Sequence, residues 1–145
     1  MRLTSYTDYS LRVLIYLATD NEKRLVNIKE IAETYNISKN HLMKVIYNLG
    51  KMEYIETIRG RNGGMRLAMD PSAINIGEVV RRTEEDFYLV ECFEHQDKCI
   101  ITPVCSLKHL FSEALEQFLK VLDQYTLEDI VQNQILLKQY FSAKS

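Results

Sequence analysis

The chain of 145 residues carries 18 Lys and Arg against 20 Asp and Glu, a formal net charge of -2, and its length suits a single compact domain or a small domain with an appended dimerisation segment. Its longest apolar runs, such as VLIYLA at 13–18, are far too short to span a bilayer. Asp8 interrupts the start, and TDNEK rather than a small-residue cleavage site follows the apolar stretch, a pattern that argues against a secretory signal, so the chain is expected in the cytoplasm, where thiols stay reduced.

Charge is unevenly divided. Residues 1–70 hold 11 Lys and Arg against 8 Asp and Glu, and residues 71–145 hold 7 against 12. A basic first half followed by an acidic second half points to a polyanion as partner of the first.

The opening segment SYTDYSLRVLIYLAT places Tyr6, Tyr9, Val13, Leu14, Leu17 and Ala18 on one face of a helix over about 5–19. Ser5 is the expected cap, Asp8 complements the positive end of the helix dipole, and Arg12 stands one turn on, in reach of an ion pair with Asp8. After the polar turn TDNEKR, Asn27 and Glu30 form a capping pair for NIKEIAETY, whose short apolar face is Ile28, Ile31 and Ala32. The residues NIS break that helix, and Ser38 caps the next, KNHLMKVIYNLGKM, with Leu42, Val45, Ile46 and Leu49 inward. Two short helices over about 27–51, the second exposing Lys39, Asn40, His41 and Lys44 near its start, predict a helix-turn-helix.

YIETIRG and GMRLAM then read as two strands joined across Gly60 to Gly64, where Asn62-Gly63 signals a tight hairpin, so 54–69 forms a wing. Arg59, Arg61 and Arg66 stand among glycines that permit close backbone approach, a composition suited to phosphates or a minor groove. Pro71 and Ser72 lead into a short helix, INIGEVVRRTEE. Ser106 is expected to cap a long helix striped by Leu107, Leu110, Phe111, Ala114, Leu115, Phe118, Val121, Leu122 and Tyr125, more apolar surface than so small a domain needs internally; it is read as a dimerisation helix, with burial against the chain's own first helix as the other reading. Thr126, with Asp129 at the third helical position, caps a final helix read as LEDIVQNQILLKQYF.

Between these helices lie the chain's only cysteines, Cys92, Cys99 and Cys105, in ECFEHQDKCIITPVC. Three thiols cannot all pair within one chain, and C-x6-C-x5-C is not the paired-knuckle spacing of structural zinc sites, which suggests a soft metal or cluster with one ligand position left for something else. Buried thiols of a packed loop are the other reading, opposed by Glu91, Glu94, His95, Asp97 and Lys98 around the first two cysteines. His95 and His109 stand nearby as ligands or as surface residues. No phosphate-cradling glycine loop joins a strand to a helix, and no nucleophile has an evident base, so the case for an enzyme is poor.

The chain as a whole resembles the Rrf-type family of bacterial winged-helix regulators. The resemblance rests on MRLTSYTDYSLRVLIYLA, IAETYNISKNHLMKVI, IRGRNGGMRLAMD with its R-G-x-x-G-G-x-x-L wing motif, INIGEVVR, and the three cysteines before a long helix. It implies a mainly α fold with a small β-hairpin wing: a winged helix-turn-helix DNA-binding domain over 1–85, a cluster-binding loop over 86–105, and a dimerisation helix with a C-terminal helix over 106–145.

The family's iron-sulfur members imply a ligand set as well. In its cluster-biogenesis regulators a histidine three residues after the last cysteine completes the site, but Lys108 stands there and His109 comes one residue later. In its nitric-oxide-sensing members the cofactor is a 4Fe-4S cluster whose fourth ligand is an aspartate from the first helix of the partner subunit, a position matched by Asp8, with Arg12 beside it. The resemblance thus implies a homodimeric repressor of operator DNA, released by nitric oxide acting at Cys92, Cys99, Cys105 and the partner's Asp8, with a 2Fe-2S cluster as the alternative cofactor. Asn40, His41 and Lys44 would read bases, Ser38, Lys39, Arg59 and Arg61 would hold the DNA backbone, and Asn62, Gly63 and Gly64 would shape the wing. The competing functions are a winged-helix regulator sensing thiol oxidation or zinc through the same cysteines, and a cluster carrier that does not bind DNA.

Overall fold

The computed structural model describes residues 1–20 and 24–144; within the polar turn read at 19–24, residues 21–23 lie outside the described residues. Helix α1 spans Ser5–Thr19. Its cap is Thr4 rather than Ser5: Thr4 is the residue with extended backbone angles, and its hydroxyl accepts from the Thr7 amide at 3.3 Å. Val13, Leu14, Leu17 and Ala18 are buried as the helical period requires, while Tyr6 and Tyr9 are only partly covered at the edge of the same face.

Helix α2, Ile28–Tyr35, is capped by Asn27, whose side chain accepts from the Glu30 amide. The reciprocal bond is not made, because the Glu30 carboxylate is turned to Arg24 and to the Tyr16 hydroxyl, 2.7 Å away. Asn36 ends α2 in the left-handed conformation, at φ 55°, a position that asparagine tolerates better than most residues. Two residues later Ser38 caps α3, Lys39–Lys51, by accepting from the His41 amide. Leu42, Val45, Ile46 and Leu49 are all buried, so α3 packs on α1 and α2 through the predicted stripe.

Strands β1, Ile55–Ile58, and β2, Gly64–Leu67, pair antiparallel with Ile55 opposite Leu67 and Ile58 opposite Gly64. Val26 adds a third, single-residue rung, exchanging two backbone hydrogen bonds with Met65 at 2.9 and 2.8 Å. A Cβ on Gly64 would lie 2.8 Å from the Val26 carbonyl oxygen, so glycine is what lets this rung close. The hairpin departs from the expected tight Asn-Gly turn. Five residues, 59–63, connect the strands, with Gly63 donating to the Gly60 carbonyl at 3.0 Å. That bond puts Arg61 and Asn62 at the two central turn positions and Gly63 at the fourth, where a type I turn favours glycine.

A 3-10 turn at Pro71–Ala73, capped by Asp70, precedes α4, Ile76–Thr83, capped by Asn75. The chain then leaves the core through a one-turn helix α5, Glu91–Glu94, a 3-10 turn at Thr102–Val104, and the long helix α6, Leu107–Asp123. Ser106 occupies the N-cap position of α6, but its hydroxyl makes no capping bond. The chain returns where it left: Ile76 donates to the Tyr125 carbonyl at 3.0 Å, Leu127 donates to the Ile74 carbonyl at 2.8 Å, and the Asn75 amide reaches the Asp123 carbonyl at 2.7 Å. Arg81 and Asp123 pair beside Gly77, where a Cβ would collide with the Asp123 carboxylate.

The final helix predicted from Thr126 onward is two helices. The Thr126–Asp129 capping box forms as expected, but α7 covers only Leu127–Ile130, and α8 begins at Gln134 and runs to Lys144. Leu127 and Val131 are driven into the core, and the break lets Phe141 turn back onto α1 and α2, its ring centroid 4.9 Å from Tyr16 and 5.6 Å from Tyr35. Burial at both ends overrides the continuous helical pattern.

Candidate nucleic-acid interface and thiol site

Ser38, Lys39, Asn40, His41 and Lys44 are all exposed at the start of α3. They do not share one environment. His41 stands at the flank facing α1, its ring 5.6 Å from the Tyr9 ring in an edge-on contact. Asn40 and Lys44 face outward, and between them and Lys39 the helix also presents Met43 and Tyr47, 59% and 65% exposed. The helical period that sends Leu42, Val45, Ile46 and Leu49 inward sends these two large side chains out, a signal present in the sequence itself.

At the wing tip Arg59, Arg61 and Asn62 are exposed. Gly63 is fixed by sterics: a Cβ there would lie 2.1 Å from the Ile58 carbonyl oxygen. Arg66 is not at the tip. It lies opposite Glu56 in the register of β1 and β2 and forms an ion pair with it, which leaves Arg59 and Arg61 as the wing's outward cations.

The three cysteines are free thiols on the segment between α4 and α6. Cys92 sits on α5, Cys105 follows the 3-10 turn, both half-buried, and Cys99 is exposed. Among the described residues, no three His, Cys, Asp or Glu side chains are gathered as a metal site. The donor chemistry nevertheless suits an iron-sulfur cluster: three reduced thiols on one short segment, one donor short of four. Ile100, Ile101 and Val104 around them are exposed, as are Leu107 and Leu110 at the start of α6, and no residue of α6 is fully buried. His95 lies 3.6 Å from Glu94, and His109 is exposed on α6.

Asp8 and Arg12 are together on α1, half-exposed, the guanidinium giving two hydrogen bonds to the carboxylate. Arg12 also lies 5.7 Å from the Tyr9 ring centroid and 5.8 Å from that of Tyr35, while the Tyr35 hydroxyl donates to the Arg12 carbonyl at 3.0 Å. Burial raises the Tyr35 phenol well above its ordinary value, so it stays a neutral donor. A packed path therefore runs from Asp8 through Arg12 and Tyr9 to His41 on α3.

A helix-turn-helix with an outward reader face, followed by a basic wing, defines a winged-helix DNA-binding regulator. Residues 3–133 match the Rrf2 family, described as iron-dependent transcriptional regulators, and the chain belongs to that family. It is a regulator of transcription and not an enzyme. The chain is 63% identical over 143 residues to the HTH-type transcriptional regulator NsrR of Bacillus licheniformis, covering 98% of this chain and 100% of that one. It is 66% identical over 134 residues to the NsrR of Bacillus subtilis, covering 92% of each. Among solved structures it resembles CymR, the global cysteine regulator of B. subtilis, with a TM-score of 0.74 at 28% identity over 92% of this chain and 98% of that one. IscR of T. potens shares the fold, with a TM-score of 0.73 at 23% identity over 92% and 88% of the two chains. No helix among the described residues is long and apolar enough to cross a membrane.

Proposed function

We propose that the chain is a homodimeric repressor that binds an inverted-repeat operator while Cys92, Cys99 and Cys105 of one subunit and Asp8 of the partner subunit hold a 4Fe-4S cluster, and that it gives up the operator in response to nitric oxide. The observation that carries this reading is the union in one chain of a reader helix and basic wing with three free thiols beside a long helix whose Leu107, Leu110 and Val121 its own chain leaves exposed. The similarity to proteins named NsrR supports it. When bound, the cluster supplies an iron whose carboxylate ligand is harder than its thiolates, and so the first position open to nitric oxide.

The chain's own residues do the rest. Leu107, Leu110 and Val121 of α6 bring two copies together, setting the thiol segment of one against α1 of the other. Arg12 orients the Asp8 carboxylate toward the partner, and Tyr9 links the same helix to His41, so a change at Asp8 bears on the reader. Each α3 enters a major groove, with half-sites about one helical turn, roughly 34 Å, apart. Asn40, His41 and Lys44 reach bases, while Ser38, Lys39, Arg59 and Arg61 hold phosphates around a wing shaped by Asn62, Gly63 and Gly64.

The test is anaerobic absorption measured together with operator binding, before and after nitric oxide. The protein is expected to be brown, to lose its visible absorption on exposure, and to lose operator affinity in parallel. A colourless protein after full anaerobic reconstitution with iron and sulfide overturns the cluster reading.

A further inference from the structure

The reader helix carries an apolar feature that its polar contacts do not use. Met43 and Tyr47 are 59% and 65% exposed, although each is large enough to reward burial, and they stand one turn apart on the same side of α3. At 3.6 residues per turn, Met43, Tyr47, Asn40 and Lys44 fall within an arc of roughly 100° opposite Leu42 and Leu49. The two apolar side chains thus share the outward face with the amide and ammonium groups expected to meet DNA.

The surroundings identify what covers them. Lys39 and Lys44 flank Met43, and the Lys51 ammonium lies 5.4 Å from the Tyr47 ring centroid, so the strip is bordered by cations along its length. An apolar protein partner would have to cover those charges, whereas duplex DNA supplies phosphates for them. The major groove offers one large apolar group, the thymine 5-methyl. Met43 lies in the second turn of α3, the part of a reader helix that approaches base edges, and its unbranched thioether adapts to a methyl surface. Tyr47, one turn further along, backs it with a flat ring.

We propose that Met43, supported by Tyr47, reads the 5-methyl group of a thymine in each operator half-site, so that the chain distinguishes thymine by its methyl as well as by hydrogen bonds. This inference rests on the DNA-binding reading above and adds the chemistry of one contact to it.

The experiment uses the full-length chain isolated anaerobically. Its preferred duplex is first selected from a pool of randomised inverted repeats, and each thymine is then replaced in turn by deoxyuridine, which removes the methyl and leaves every hydrogen-bonding group in place. The wild-type chain is expected to lose affinity by roughly threefold to tenfold at one symmetric pair of positions, the effect of uncovering about one methyl per half-site. Met43→Ala is expected to bind the thymine and deoxyuridine duplexes equally, and Tyr47→Ala to reduce the difference; both side chains are exposed, so each variant should keep the wild-type melting temperature. Deoxyuridine tolerated at every position, or a full penalty retained by Met43→Ala, overturns the inference while leaving DNA binding intact. Failure to enrich any duplex overturns both readings together.

Discussion

Asp8 and Arg12 form a two-pronged pair on the first helix, with Arg12 Nε 3.1 Å from one carboxylate oxygen of Asp8 and a terminal guanidinium nitrogen 2.8 Å from the other. Both groups are half-exposed, and a pair so placed in one helix contributes only about 0.3–0.5 kcal/mol. Its value to the fold is therefore small. What the pair does is hold the carboxylate in one orientation at the surface of α1.

Asp8→Ala should thus leave thermal unfolding within about 0.5 kcal/mol of wild type. Iron retained after anaerobic reconstitution, or the rate at which visible absorption is lost to nitric oxide, should change clearly. Wild-type values in both would return Asp8 to the role of a helix-end charge. Arg12→Ala should reproduce part of the Asp8→Ala phenotype, because it frees the carboxylate without removing it.

Arg61 lies at a central position of the wing turn and, among the described residues, makes no ion pair like that of Arg66 with Glu56. Arg61→Ala should weaken binding to all duplexes alike and reduce the slope of log affinity against log salt by about 1, the signature of one lost phosphate contact. Titrations at several salt concentrations check this, and an unchanged slope would remove Arg61 from the phosphate contacts.

Gly63→Ala should disturb the wing from inside. The added methyl would sit 2.1 Å from the Ile58 carbonyl oxygen, so the turn must open. Urea unfolding should show a loss of roughly 1–3 kcal/mol, and DNA affinity should fall even where the chain remains folded.

Glu30 couples stability to acidity. Its hydrogen bond to Arg24 is the largest influence lowering its carboxyl below the ordinary glutamate range; partial burial opposes this, and the Tyr16 hydroxyl adds to the lowering. A carboxyl lowered in the folded state contributes stability that is complete above its unfolded value, about 4.3, and is lost as pH falls through that value toward the folded one. Glu30→Gln should therefore cost about 1–2 kcal/mol near neutral pH, with the gap to wild type closing below about pH 4. Thermal unfolding of both proteins across pH 3–7 measures it, and a constant gap would argue against ionisation as the cause.

The reader was legible in the sequence because its signals are local: Asn27 and Ser38 cap the helices their positions announce, and four apolar residues at helical spacing all face inward. What was not legible depends on distant partners. Ser5 and Thr4 are equally good caps on paper, and only the bend of the backbone chooses Thr4. Arg66 looks like a wing-tip cation until the strand register sets it opposite Glu56. The break between α7 and α8 follows from Leu127, Val131 and Phe141 seeking one core from three directions, which no periodicity within 127–141 records. At the thiol site the sequence supplies three donors, and among the described residues they are not gathered as a metal site.

The hydrogen bonds that join Ile74 and Ile76 to Leu127 and Tyr125 make the thiol segment and α6 a closed excursion, leaving and re-entering the core at one place. A single protease cut near Cys99 should therefore sever the polypeptide without dividing the particle: the nicked halves should migrate together in native gels and separate only in denaturant. The same closure means that strain arising at the thiols cannot be dissipated by fraying a free end. It arrives at α4 and α7, which both pack on α1, and the thiol segment behaves as a loop of wire with both ends soldered to one board.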